Sequence, residues 1–353
     1  MEICEKFKYT FLSLYQVVGL LPDSSEHIIN INDDNSKTSF GFINDVNDTC
    51  RNIDLGLVVN RLMFSKIPGI KTDGDIEKLI ESEIIKIQTE RKSRTQNDAT
   101  FMIAIEGVAE LKINQDLYFE KSLYSFCYDA VDKIKIKEWH RDSINFILAS
   151  IIISAKNVYG IKEVTDGLYF DDGNGKPLFT SRLIVSAQGF PYIPITNGMI
   201  ISSESNIQFL KKEKFFKNIV SLYVQSFDES QTEFIRFVNV WAALEIFINN
   251  IFNKYKESFF SDIYNKEKIR GIKFISSIDE RMKYTKVHKF ALISYYLGAN
   301  PIEEVEFFKS CKALRDKVYH SKPFSDNKMP VEDLRNLLTQ YLIAYLNQGK
   351  SGL

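Results

Sequence analysis

The sequence is short of the residues that build scaffolds from cross-links. It has four cysteines, Cys4, Cys50, Cys127 and Cys311, and no two of them stand in C-x-x-C spacing or beside a histidine cluster. That argues against a disulfide framework and a structural zinc site, and fits reduced thiols in a cytoplasmic protein. Histidine is also scarce, with four in the chain and no carboxylate–histidine cluster at ligand spacing, so no metal and no cofactor is expected. The start "MEICEKFKYTFLSLY" carries acids and lacks a basic stretch, so it does not read as a signal peptide. Long apolar runs are missing. The longest, "INFILASIIISA" at 144–155, is too short to span a bilayer and is expected as a buried helix, with no membrane partner. There is no internal repeat and no low-complexity segment. "GNGK" at 173–176 lacks the G-x-x-x-x-G-K-[ST] spacing of a phosphate loop, and Pro177 would stop a following helix, so a hairpin turn is expected there.

Excess charge is absent too. The formal net charge of −1 excludes a globally basic nucleic-acid binder. The charge is uneven, however: residues 201–353 hold 23 Lys+Arg against 18 Asp+Glu, and residues 1–200 hold 22 against 28. This +5 beside −6 hints at an anion-binding C-terminal part, with chance scatter as the competing reading.

What is present points to an α+β chain of two domains, at 1–202 and 203–353. The first is a strand-rich mixed domain. "EHIININ", "KTSFGFI" and "IDLGLVV" read as short strands, "ATFMIAIEGVAELKIN" as one or two, and "GLYFDDGNGKPLFTSRLIV" as strand, turn, strand. "DGDIEKLIESEIIKIQTERK" and the stretch from about 137 to 157 have helical spacing. From 203 onward the patterns are helical. "ESNIQFLKKEKFFKNIVSLYVQSF" reads as the first helix and "QTEFIRFVNVWAALEIFINNIFNKY" as the second and longest. Others follow near 265–282, 287–297 and 302–320, and a last helix starts at Pro330 with Glu332 and Asp333 in its first turn. An all-α bundle is expected.

Chemistry is concentrated in "CKALRDKVYHSKPF", where Arg315 and His320 stand five positions apart. Phe307, Cys311, Leu314 and Val318 form an apolar stripe with Arg315 beside it. Five residues rotate about 140° around an α-helix, so the pair does not share a face in regular helix. Pro323 should stop the helix by 321 or 322, leaving His320 in an opening last turn where it can swing toward the guanidinium. A helix C-terminus favours the imidazolium. In the second helix Phe234, Val238, Trp241, Ile248 and Phe252 share a stripe with Glu245, and Arg315 is the candidate partner for that carboxylate. A Glu at the stripe margin, an Arg in a structural ion pair and a His capping a helix end remain the competing readings. Arg281 and His288 form a second, looser Arg–His pair. "WHRD" at 139–142 has no nearby nucleophile arrangement.

These residues carry a resemblance. "FVNVWAALEIFINN" (237–250) resembles the W-x-A-L-E helix of the Apea-like branch of the HEPN superfamily. "KFALISYYLG" (289–298) and "FFKSCKALRDKVYHS" (307–321) look like its later helices. "RDKVYH" matches the superfamily's Arg, polar residue, then His signature, with Asp316 in the polar slot. The resemblance covers about 205–348, and residues 1–200 resemble no family.

The resemblance implies a metal-independent endoribonuclease of toxin or antiphage-defence type. It implies a homodimer through the helical bundle, with RNA as substrate and an antitoxin or a phage-derived trigger as further partner. His320 would activate the ribose 2′-OH or protonate the leaving 5′-oxygen, and Arg315 would hold the scissile phosphate. Asp316 would orient a neighbouring residue or the partner's arginine. Glu245 and Tyr319 would support the site, and Lys317, Tyr319 and Lys322 would line the RNA path. Products would be a 2′,3′-cyclic phosphate and a 5′-OH. The alternative is a non-catalytic HEPN module that binds a nucleotide or a partner protein.

Overall fold

The structure, a computed structural model, describes residues 2–22, 26–33, 36–64, 73–95, 99–114, 133–155, 158–171, 177–184, 193–267, 283–319 and 329–351. It has a mixed α+β composition, with an antiparallel sheet in the N-terminal part and most of the helices in the C-terminal part. It divides into two compact units, Met1–Ile147 with Asn157–Glu204, and Leu148–Lys156 with Ser205–Leu353. The division lies two residues past the expected 202/203 boundary and assigns 148–156 to the second unit.

The first unit is built on β1 (Glu2–Val18), the 17 residues that open the chain. Its neighbours are β5 (Ala99–Asn114) and β6 (Gly160–Asp171), both antiparallel to it. With β3 (His27–Asp33), β4 (Ser36–Phe42) and β7 (Pro177–Ile184) they form a six-stranded sheet in the order β3-β4-β5-β1-β6-β7. A central strand covered on both faces must be apolar on both, and Phe11, Leu12, Leu14, Val17 and Val18 are all buried. Gly19, at φ 103°, provides the left-handed kink from which the chain enters β2 (Leu20–Leu21), which pairs in parallel with β8 (Ile193–Pro194).

One face of the sheet packs on α1 (Val46–Phe64): Leu12, Leu14, Met102 and Val164 meet Val46, Cys50 and Ile53. The stretch "IDLGLVV" therefore lies in a helix, not in the expected strand. Val46, Cys50 and Ile53 recur at helical spacing, and the Asp45 carboxylate accepts the Asp48 N–H at 2.9 Å, capping the start. Helix α2 (Asp73–Thr95) joins α1 through a buried ion pair, Arg91 Nη2 to Asp54 Oδ1 at 2.5 Å. The other face carries α3 (Lys133–Ala155), whose His140 Nε2 lies 2.7 Å from the Tyr9 hydroxyl. The run 144–155 lies in this helix and is largely buried, as its composition suggested.

The second unit is helical. The expected first helix is two, α4 (Asn197–Lys212) and α5 (Phe216–Gln225), separated by a turn at 213–215. Then come α6 (Glu233–Glu267), α7 (Lys286–Leu297), α8 (Pro301–Tyr319) and α9 (Val331–Ser351). The helix expected over 265–282 lies outside the described residues beyond 267. Among the described residues, α6 is the one helix long and apolar enough to cross a membrane, over Glu233–Asp262. Its apolar side is occupied within the unit: Phe237, Val240, Leu244, Phe247 and Ile251 are buried, with Phe247 against Phe216 of α5 and Tyr345 of α9.

Candidate active site around Arg315

Four stacked rings tie α6, α7, α8 and α9 together. Trp241 lies 4.9 Å from Phe308, Phe308 lies 4.2 Å from Phe290 at an interplanar angle of 6°, and Phe290 lies 5.4 Å from Tyr341. Arg315 stands at the α6 end of this column, its Cζ 5.7 Å from the Trp241 ring centroid. The face of α8 that makes these contacts runs through Glu304, Phe308, Cys311 and Arg315, spaced four, three and four apart. Arg315 is thus on the inward seam itself. Phe308, not Phe307, anchors it, and Leu314 is only half-buried. On α6 the stripe starts at Trp241, because Phe234 is exposed.

The guanidinium is held by two carboxylates. Arg315 Nη2 donates to Glu245 Oε1 at 2.9 Å, and Nη1 lies 3.0 Å from Asp316 Oδ1. Glu245 sits one turn after Trp241 on α6, so one helix supplies both the floor under the guanidinium and the charge that orients it. The Arg315 and Glu245 side chains are 21% and 20% exposed, so their pair is mostly shielded, whereas Asp316 is 36% exposed. Two lysines complete the cluster. Lys286, at the start of α7, donates to the same Glu245 Oε1 at 2.5 Å, and Lys312 Nζ lies 2.8 Å from Asp316 Oδ2. Among the described residues, three cations therefore face two carboxylates.

The sequence-predicted residues distribute as follows. Arg315, Asp316 and Glu245 come together. Asp316 reaches the Arg315 of its own chain. Lys317 is exposed in the last turn of α8. Tyr319 closes that helix, and His320 and Lys322 lie outside the described residues, His320 immediately after it. Of the second Arg–His pair, Arg281 lies outside the described residues, and His288 is a helix cap: its N–H donates to Thr285 Oγ1 at 3.3 Å, and its Nδ1 accepts from the Thr285 N–H.

Sequence reasoning missed Lys286 and Lys312. Lys312 could have been found, since Lys and Asp four apart on a helix pair routinely. Lys286 could not, because its contact depends on how α7 crosses α6. Burial pushes the Cys311 thiol up to about 12, which keeps it protonated and unreactive at neutral pH.

A second polar cluster, also missed, belongs to the first unit. Lys137 of α3 contacts Glu163 Oε1 at 3.2 Å and pairs with Asp166, and Ser13 donates to Glu163 at 3.3 Å. Burial raises the Glu163 carboxyl although Lys137 opposes it, and burial lowers the His140 imidazole nearby.

Among the described residues no group of three or more His, Cys, Asp or Glu could hold a metal ion. Comparison of the chain with protein-family models, with curated proteins and with solved structures finds no match.

Proposed function

We propose that the chain is a metal-independent endoribonuclease of the toxin or antiphage-defence type, with an HEPN-like C-terminal unit acting as a homodimer on RNA. The observation that carries this reading is the asymmetry of the Arg315 contacts. One amino group is anchored on the shielded Glu245 over Trp241, while the other meets Asp316, the more exposed carboxylate. A phosphodiester oxygen can take the place of Asp316 while Glu245 keeps the guanidinium oriented. His320 follows the end of the same helix. In the proposed step an imidazole takes the proton of the ribose 2′-OH and the 2′-oxygen bonds to phosphorus. The P–O5′ bond breaks, a second imidazole protonates the departing oxygen, and Arg315 balances the charge on the phosphorane. The two imidazoles are the His320 residues of the two protomers. The acidic first unit gates this activity in response to an antitoxin or a phage-derived trigger.

The test is incubation of the purified protein with total RNA in EDTA. Cleavage should persist and leave 2′,3′-cyclic phosphate ends. It should fall by about 10²–10⁴-fold in His320→Ala and be lost in Arg315→Ala. Cleavage that needs a divalent ion, or survives in His320→Ala, contradicts the proposal.

One observation favours a second reading. Both amino groups of Arg315 are already on carboxylates, as in a structural ion pair, which suits a non-catalytic module that binds a nucleotide or a partner protein. RNA left intact, with tight binding of either ligand, selects it.

A further inference from the structure

From Glu245 a band of alternating lysines and aromatic rings follows the α6–α7 seam away from Arg315. On α6 the positions Glu245, Asn249, Phe252, Lys256 and Phe259 fall on one stripe. Against them stand Lys286 on Glu245, Lys289 donating to Asn249 Oδ1 at 2.9 Å with its Nζ 5.3 Å from the Phe252 ring centroid, and Tyr284 5.0 Å from Phe252. Lys256 Nζ lies 6.0 Å from the Tyr284 centroid. At the far end Tyr295 is 57% exposed, yet it is braced edge-to-face by Phe259 at 6.1 Å and by Tyr296 at 5.1 Å. Fourteen residues of helix make the band about 21 Å long.

We infer that this band is a binding track for single-stranded RNA that leads to Arg315, with bases stacking on Tyr295 and phosphates on Lys256 and Lys289. A core contact would bury Tyr295; here a large ring is held rigid and left open to water. Interleaving such rings with lysines suits unpaired bases on a phosphate backbone, because stacking needs only a flat face and the lysines need only the charge. A duplex hides its base faces and would gain only the charge. The inference deepens the nuclease proposal and rests on it for the identity of the ligand.

The experiment measures anisotropy of a labelled single-stranded 2′-O-methyl oligoribonucleotide in EDTA. That probe cannot be cut, so binding is read apart from cleavage. Tyr295→Ala should weaken binding about tenfold, within the range found for losing one stacked base. Tyr295→Phe, which keeps the ring, should bind as the parent does. Lys289→Ala combined with Lys256→Ala should weaken binding several-fold, and Lys309→Ala, on the exposed side of α8, should not. Circular dichroism checks the fold of each variant. The track is overturned if the parent does not bind, if Tyr295→Ala binds like the parent, or if a poly-glutamate peptide binds equally well with the same dependence on Tyr295. That last outcome assigns the band to an acidic protein partner. The two proposals fail separately. Total RNA uncut by a parent protein that still binds through Tyr295 removes catalysis and keeps the track. Cleavage and affinity unchanged in Tyr295→Ala remove the track and keep catalysis.

Discussion

Glu245 concentrates two cations on one oxygen, and the sign of every local effect follows from that. Without it, Arg315 and Lys286 would repel across a shielded space; with it, both are fixed. His140 in the first unit shows the opposite condition. It is a titratable group that burial holds neutral, below the ordinary 6.5, beside the Tyr9 hydroxyl. The unfolded chain takes up the proton first as pH falls through 6.5. The folded protein therefore loses stability from there down to the lowered value of His140. Glu163 works the other way. Its raised carboxyl protonates first in the folded state, so lowering the pH toward 4.5 relieves a cost. Only a variant separates the two. The parent's urea midpoint should fall between pH 7 and 6 and His140→Gln should flatten that fall, and an unchanged pH profile would contradict this account.

At the scale of elements, the turn between α7 and α8 depends on one side chain. Glu304 accepts from the Ala299 and Asn300 N–H groups at 2.9 and 3.1 Å, from Ser294 Oγ at 2.9 Å and from the Tyr341 hydroxyl at 2.6 Å. Burial alone would raise its carboxyl, but these four donors hold it below the ordinary 4.5. The stability it contributes is thus present at neutral pH and is lost as pH falls below 4.5. Gly298 leaves the space: a Cβ there would lie 2.1 Å from Glu304 Oε2 and 2.7 Å from the Ser294 carbonyl oxygen. Glu304→Ala should cost about 3 kcal/mol and Gly298→Ala about 2 kcal/mol. The double variant should cost less than the sum, because both remove the same contacts. Strict additivity in urea unfolding would refute the coupling. The sequence announces this turn, since "LGANP" breaks both helices, but it does not announce the Tyr341 contact, which comes from 37 residues along the chain. Other elements divide the same way. Strands β3 and β4 and the 331–351 helix are legible from the β-branched and aromatic runs, from Pro330 and from the acidic first turn. The segment 53–59 misleads because its β-branched residues mask a helical spacing visible only from Val46 onward. The pairing of Arg315 with Glu245 is legible, because a carboxylate and a guanidinium each on an apolar stripe need a counter-charge. Lys286 is not, since nothing in a one-dimensional pattern says which helices cross.

For the whole molecule, a net charge of −1 means that no global field draws RNA in, so the track must act through local contacts. At physiological salt, charges are screened beyond about 8 Å, so the lysines on the α6–α7 seam act on phosphates only at short range. Two consequences distinguish a local track from diffuse attraction. The first is a shallow salt dependence. Each phosphate neutralised on a single strand contributes about −0.7 to the slope of log affinity against log salt. Lys256, Lys289 and Lys286, each already in contact with the protein, should therefore give a slope of about −1.5 to −2. The second is that the slope is carried by named residues: Lys256→Ala with Lys289→Ala should bring it to about −0.5. The residual affinity would come from stacking, which salt affects little, so Tyr295→Ala should lower affinity without changing the slope. A slope steeper than about −5, or one unchanged in the double lysine variant, would mean that the phosphates lie on some other surface of the protein.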